Sequence, residues 1–219
     1  RKEIQLNNNW LFRYSWQVQK NSEERVDLPH TWNAQDALSG KQDYFRGMGN
    51  YRKSLPVSED LKGKRIYLKF EGANTVTNLF INQKHVGEHR GGYGAFVFDI
   101  TDFVDYGKDN EVLVRVNNSL QLDIMPLLGD FNFYGGIYRD VYLVITEPEH
   151  ISLTDYASPG VYLIQDNVTD KKAEVTTKVM LSNYDTNKKA TLTLNVTDGN
   201  KNIISKTEEI DLPKGENNS

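Results

Sequence analysis

The sequence predicts an all-β protein. A jelly-roll sandwich is expected over residues 1–147, followed by part of a second, immunoglobulin-like sandwich over 148–219. Three observations predict it. Apolar residues recur with a period of two along most of the chain, the signature of half-buried strands. The alternating runs are short and end in turn residues, which leaves no room for the crossover helices of a parallel sheet. No amphipathic helix of normal length occurs, and the stretch 58–64 has room for one turn.

The individual strands follow from the same pattern. In KRIYLKFEG, Ile66, Leu68 and Phe70 share one face, and Tyr67, Lys69 and Glu71 share the other. In AFVFDIT, Phe96, Phe98 and Ile100 alternate with Val97 and Asp99, and in EVLVRVNN, Val112, Val114 and Val116 alternate with Leu113 and Arg115. The stretch GDFNFYGGIYRDVYLVI, 129–145, ends as a strand with Ile137, Arg139, Val141, Leu143 and Ile145 on one face. Turns at 60–63, 82–84, 106–109 and 198–200 separate such runs, supplied by Gly, Asn and Asp. Many short strands joined this way predict a sandwich or jelly roll.

Composition changes near Glu147 and Pro148. All three Trp lie before this point, and Thr, Lys, Asn and Asp dominate after Tyr162. Strands are expected at 173–181, 190–196 and 203–212, in the succession of an immunoglobulin-type sandwich. Such a domain takes about seven strands in about 100 residues, and about 70 residues follow Pro148. The second domain is therefore expected to be truncated and the chain to be a piece of a longer protein.

Bulk properties exclude several functions. The 219 residues carry a net charge of -4 with no basic block, which argues against a nucleic-acid partner. No run of about 18 apolar residues is present, so no helical membrane span is expected. The absence of cysteine removes a disulfide scaffold, a thiolate zinc site and a cysteine nucleophile. The chain opens at Arg1, without Met or a signal peptide, as a processed or trimmed chain would. That start and the lack of cysteine fit a periplasmic or secreted location.

Candidate chemistry is sparse. The loop GEHRGGYGAF, 87–96, lacks the Gly-Lys-Ser/Thr ending of a phosphate cradle. It reads as a wide hairpin connection, or as a loop that lets a ligand approach the backbone. His85 and His89 are four apart, a zinc spacing on a helix but not on a strand, and no metal site or cofactor is expected. His30, in LPHTWN, reads as a packing or hydrogen-bonding residue, and no serine sits in a nucleophile elbow. The glycosylation sequons at Asn117, Asn167 and Asn195 arise readily by chance in an Asn- and Thr-rich chain. Trp10, Trp16 and Trp32 suit the core better than a sugar-stacking platform. Asp130 differs, as a carboxylate among Phe131, Phe133 and Tyr134 with Gly129, Gly135 and Gly136 around it. It can accept hydrogen bonds from paired sugar hydroxyls, or it can cap its own turn.

Five stretches then carry a resemblance, in order: VDLPHTWN (26–33), YFRGMGNYRKSLPV (44–57), KRIYLKFEGANTVTNLFINQKHVGEHRGGYGAFVFDIT (64–101), NEVLVRVNNS (110–119) and DFNFYGGIYRDVYL (130–143). They resemble the N-terminal, galactose-binding-like sugar-binding domain of glycoside hydrolase family 2, which includes β-galactosidases, β-glucuronidases and β-mannosidases. Asn82-Gln83-Lys84 stands where the family usually has Asn-Gly-Lys. The resemblance implies a retaining exo-β-glycosidase that hydrolyses O-glycosidic bonds, with its acid/base and nucleophile glutamates on a following (β/α)₈ barrel. No catalytic residue is then expected in this chain, which alone should be inactive. The resemblance further implies that loops of the first domain reach the barrel mouth. Asp130 would accept hydrogen bonds from the bound sugar, and Arg46 and Asp43 are further substrate-binding candidates. Gly91-Gly92 matches the glucuronidases rather than those galactosidases that carry an acid there. The implied partners are a carbohydrate substrate, shared with the barrel, and a second copy in a homo-oligomer of the full-length enzyme. A stand-alone carbohydrate-binding module and a surface β-sandwich scaffold are the alternatives.

Overall fold

The computed structural model describes residues 1–17, 22–36, 38–39, 44–127, 129 and 131–218. The chain divides into two compact units, Arg1–Glu147 and Pro148–Ser219. The described residues form antiparallel β-structure without an α-helix, and the stretch 58–64 supplies a single 3-10 turn, Glu59–Leu61.

Unit 1 contains β1 (Lys2–Gln5), β2 (Trp10–Tyr14), β3 (Glu24–Val26), β4 (Met48–Val57), β5 (Arg65–Phe70), β6 (Val76–Ile81), β7 (Lys84–Arg90), β8 (Phe96–Asp99), β9 (Lys108–Asn117) and β10 (Val141–Thr146). They make two sheets, β1-β10-β5-β8 and β3-β2-β4-β9-β6-β7. Register explains the core. Phe12, Tyr51, Val114 and Leu79 stand opposite one another across the six-stranded sheet, and all are fully buried. On the other sheet Leu143, Leu68 and Phe98 line up in the same way. Both sets belong to one apolar cluster with Trp10, Ile66, Phe70 and Ile137. Burying each such side chain contributes about 1.5–3 kcal/mol, so the two-residue period fixes which face turns inward.

Two local outcomes differ from the sequence pattern. The last strand of unit 1 begins at Val141, not at Ile137. Residues 137–140 are held by other partners: the Ile137 carbonyl accepts from the His30 N–H at 2.8 Å, and the Asp140 carbonyl accepts from the Glu71 N–H at 3.0 Å. The second difference is that β7 runs through the first half of the 87–96 loop, to Arg90. The His89 ring there stacks on Phe96 at 3.9 Å, while His85 contacts the Asn78 amide oxygen at 2.9 Å. Each histidine thus has its own partner, and among the described residues no group of His, Cys, Asp or Glu could hold a metal ion.

Unit 2 contains β11 (Glu149–Ile151), β12 (Val161–Asp166), β13 (Glu174–Asn183), β14 (Lys188–Asp198), β15 (Lys201–Leu212) and β16 (Gly215–Asn218). β13 pairs with β11, β12 and β16, and β14 pairs with β15. The sequence pattern gives β13, β14 and β15. The short flanking strands lack enough alternation to stand out. A small core joins Val179 and Leu181 of β13 to Leu212 of β15, with Val161, Ala190, Leu192 and Ile210 against it. Leu163, Ile164, Val175, Val196, Ile203 and Ile204 remain exposed.

Candidate functional site

The site is built on an aromatic floor. Trp32 stacks on Phe12, with centroids 5.9 Å apart, and meets Tyr14 edge-on at 6.4 Å. His30 approaches Tyr51 from the same segment, with Nδ1 2.8 Å from the tyrosine hydroxyl. Gly135 and Gly136 cross this floor. A Cβ at Gly135 would stand 2.2 Å from the Trp32 ring. Gly136 has φ of +125°, and a Cβ there would stand 2.5 Å from the His30 carbonyl and 2.6 Å from the Tyr51 hydroxyl. Only glycine combines that backbone angle with so close an approach. Backbone bonds fasten the crossing: Trp32 N–H donates to the Gly135 carbonyl at 3.1 Å, and Asn74 N–H donates to that of Gly136 at 3.0 Å. Tertiary packing therefore accounts for this glycine pair.

Two buried asparagine side chains tie the crossing loop to the segment that carries Arg46. Asn33 donates through Nδ2 to the Phe45 and Phe133 carbonyls, both at 3.1 Å, and its Oδ1 accepts from Gly135 N–H at 3.1 Å. Asn118 donates through Nδ2 to the same Phe133 carbonyl at 2.9 Å, and its Oδ1 accepts from Gly47 N–H at 2.8 Å. Asp36 Oδ2 adds a bond from Phe45 N–H at 2.8 Å.

Above this frame lie partly exposed rings and the Arg46 and Arg139 guanidinium groups. The Arg46 guanidinium sits 4.0 Å from the Phe133 ring centroid, within cation–π range. Phe131 packs on Phe133 at 5.0 Å and Tyr134 on Tyr138 at 5.1 Å. The Tyr138 hydroxyl donates to the Gly92 carbonyl at 2.5 Å, which joins the second glycine-rich loop to the first. Burial raises the Tyr93 hydroxyl pKa and the nearby Tyr134 adds to it, while Arg46 acts in the opposite sense. Burial likewise raises Tyr138, with Arg139 opposing and Tyr134 and Tyr93 adding. The Tyr93 and Tyr138 hydroxyls therefore stay protonated at neutral pH. The cluster offers hydroxyl donors, aromatic faces and guanidinium groups, which bind polyols and anions. Beneath them, burial lowers the His30 pKa to about 4 and raises that of Tyr51. His30 is therefore neutral at pH 7 and serves as a packed hydrogen-bonding residue.

Of the sequence-predicted site residues, Arg46 lies in this cluster. Asp130 and Asp43 lie outside the described residues. Their neighbours are placed: Phe131 is half exposed, and Tyr44 is also at the surface. Trp10 and Trp32 are buried, whereas Trp16 is 64% exposed and stacks on Tyr14 at 5.4 Å, so only two of the tryptophans are core. Sequence reasoning gave no role to Asn33, Asn118 or Tyr93. Asn33 closes LPHTWN and Asn118 lies within NNS, but an asparagine in a loop carries no mark of burial.

Residues 14–148 match the family described as glycosyl hydrolases family 2, sugar binding domain. The chain is 60% identical over 215 residues to a β-glucuronidase of Bacteroides fragilis, covering 98% of this chain and 31% of that protein. It is 35% identical to a β-galactosidase of Thermoanaerobacter pseudethanolicus, covering 80% of this chain and 24% of that one. The chain thus spans a third or less of these relatives. Among solved structures, a β-glucuronidase of Bacteroides uniformis superposes with a TM-score of 0.90 and 31% identity, over 100% of this chain and 27% of that one. The protein belongs to glycoside hydrolase family 2, whose sugar-binding domain it carries in residues 14–148.

Proposed function

We propose that this chain is the N-terminal part of a retaining exo-β-glycosidase of the β-glucuronidase/β-galactosidase type. Its first unit supplies one wall of the pocket for the terminal sugar, and both catalytic glutamates lie on a barrel outside the chain. The identity of 60% to a β-glucuronidase across 98% of the chain carries this reading. Asp130 accepts hydrogen bonds from hydroxyls of the bound sugar, and Arg46 and Asp43 contact the same ligand. The fastening of Phe133 and Gly135 to the Arg46 segment supports the assignment of Arg46, because a pocket wall must be preorganised to contribute to binding. Unit 2 is the opening part of an immunoglobulin-like sandwich. The exposed apolar residues along β12 to β15 support this, since further strands would cover them.

The test uses the full-length protein and aryl β-glucuronide and β-galactoside substrates. Hydrolysis of either with retention of configuration is expected. Asp130→Ala should lower kcat/KM more than about tenfold, equivalent to about 1.4 kcal/mol. Absence of hydrolysis in the wild type would sink the reading. Near-unchanged kinetics in folded Asp130→Ala would remove Asp130 from the site.

A further inference from the structure

We infer that Asn33 and Asn118 are positioning residues that act through Arg46 to shape the sugar pocket. The inference rests on the proposed glycosidase reading and deepens it. The two asparagines grip the backbone on either side of Arg46. Asn33 Nδ2 donates to the carbonyl of residue 45, and Asn118 Oδ1 accepts the N–H of residue 47. The backbone N–H of Asn118 also donates to the Gly47 carbonyl at 3.0 Å. The same two amides converge on one acceptor, the carbonyl of Phe133, and the Phe133 ring is the surface on which the Arg46 guanidinium rests. Backbone and head group of Arg46 are thus referenced to one pair of side chains.

Burial makes this grip rigid. Asn33 is 0% exposed and Asn118 is 2% exposed. Breaking a buried amide bond leaves its partner without water to replace it, so each amide holds one geometry. Asn33 uses both Nδ2 hydrogens and its oxygen within the frame, and the Phe133 carbonyl uses both lone pairs. An arginine has several rotatable bonds, and ordering them on ligand binding costs affinity. Fixing its backbone on both sides and stacking its head group reduces that cost before the ligand arrives. Arg46 borders a small cavity with Tyr93, Asn118 and Phe133, so its ordering sets the shape of that recess.

The test is a double-mutant cycle in the full-length protein, with kcat/KM read on the better of the two aryl glycosides. Arg46→Ala and Asn118→Ala should each lower kcat/KM about tenfold. The double variant should lie within about threefold of Arg46→Ala alone, because residues acting as one unit are not additive. Asn118→Ser, which keeps a hydroxyl in place of the amide, repeats the cycle where Asn118→Ala folds poorly, and Asn33→Ala with Arg46→Ala gives an independent cycle. Multiplicative losses in these cycles would overturn the inference, as would Asn118 variants that lower the melting temperature and leave kcat/KM intact. A wild-type protein that hydrolyses neither substrate would overturn the glycosidase reading, and this inference with it. Hydrolysis with additive cycles would overturn the inference alone.

Discussion

Gly136→Ala is the sharpest test of how the candidate site is held. Gly136 has φ of +125°, and a methyl group there would lie 2.5 Å from the His30 carbonyl and 2.6 Å from the Tyr51 hydroxyl. Neither neighbour can yield cheaply. The His30 backbone is bonded to Ile137 at 2.8 Å, and the Tyr51 side chain is fully buried and bonded to His30. Backbone strain at such a φ costs on the order of 1–3 kcal/mol, and forcing a methyl into a filled site about 1–3 kcal/mol more. The expected total is about 4 kcal/mol, or a drop in Tm of roughly 8–16 °C for a chain of this size. Gly63 supplies the control: its φ is +89°, with nothing within 4 Å of a built Cβ, so Gly63→Ala carries the strain alone, about 1–2 kcal/mol. Thermal unfolding followed by tryptophan fluorescence reports both variants, because Trp10 and Trp32 lie in the unit 1 core. A Gly136→Ala protein that melts with Gly63→Ala, or within about 2 °C of wild type, would refute the close-approach argument.

Two further predictions concern stability. Burial holds His30 neutral down to about pH 4, against an ordinary value of 6.5. Between those values the unfolded chain binds the extra proton. The contribution to stability is therefore complete above pH 6.5 and is lost as pH falls towards 4. Allowing for its partial exposure, the loss is roughly 1–2 kcal/mol. Urea midpoints at pH 7.5 and 4.5 should fall more for wild type than for His30→Gln, and equal slopes would contradict the assignment. Gln83 in the β6–β7 turn has φ of +68°, after Asn82 at +49°, a geometry that favours glycine at the second position. Gln83→Gly should raise stability by about 0.5 kcal/mol once the greater freedom of glycine in the unfolded chain is counted. A lower melting temperature in that variant would show that the Gln83 side chain stabilises the turn.

The strands were largely legible in the sequence because burial on one face imposes a two-residue period. Ile66, Leu68 and Phe70 and Val112, Val114 and Val116 are buried as that period requires. The same period misled at 137–140, where alternation continues but the backbone is bonded to His30 and Glu71 rather than to a neighbouring strand. Within the site, the glycines and aromatics of GDFNFYGGIYRDV drew attention by composition, and the family resemblance pointed to Arg46. The asparagine frame was not legible. Asn33 and Phe133 are a hundred residues apart, and no local pattern distinguishes a loop asparagine in solvent from one that binds three backbone groups.

By itself the sequence determined the β-class of the chain, the inward face of most strands and the family, since these rest on periodicity and on short motifs read within one stretch. Tertiary structure alone decided why Gly135 and Gly136 must be glycine and what holds Arg46. Those features depend on Trp32, His30, Tyr51 and two buried amides brought together from distant segments, and hydrogen bonds and close contacts between such segments leave no periodic trace in either one.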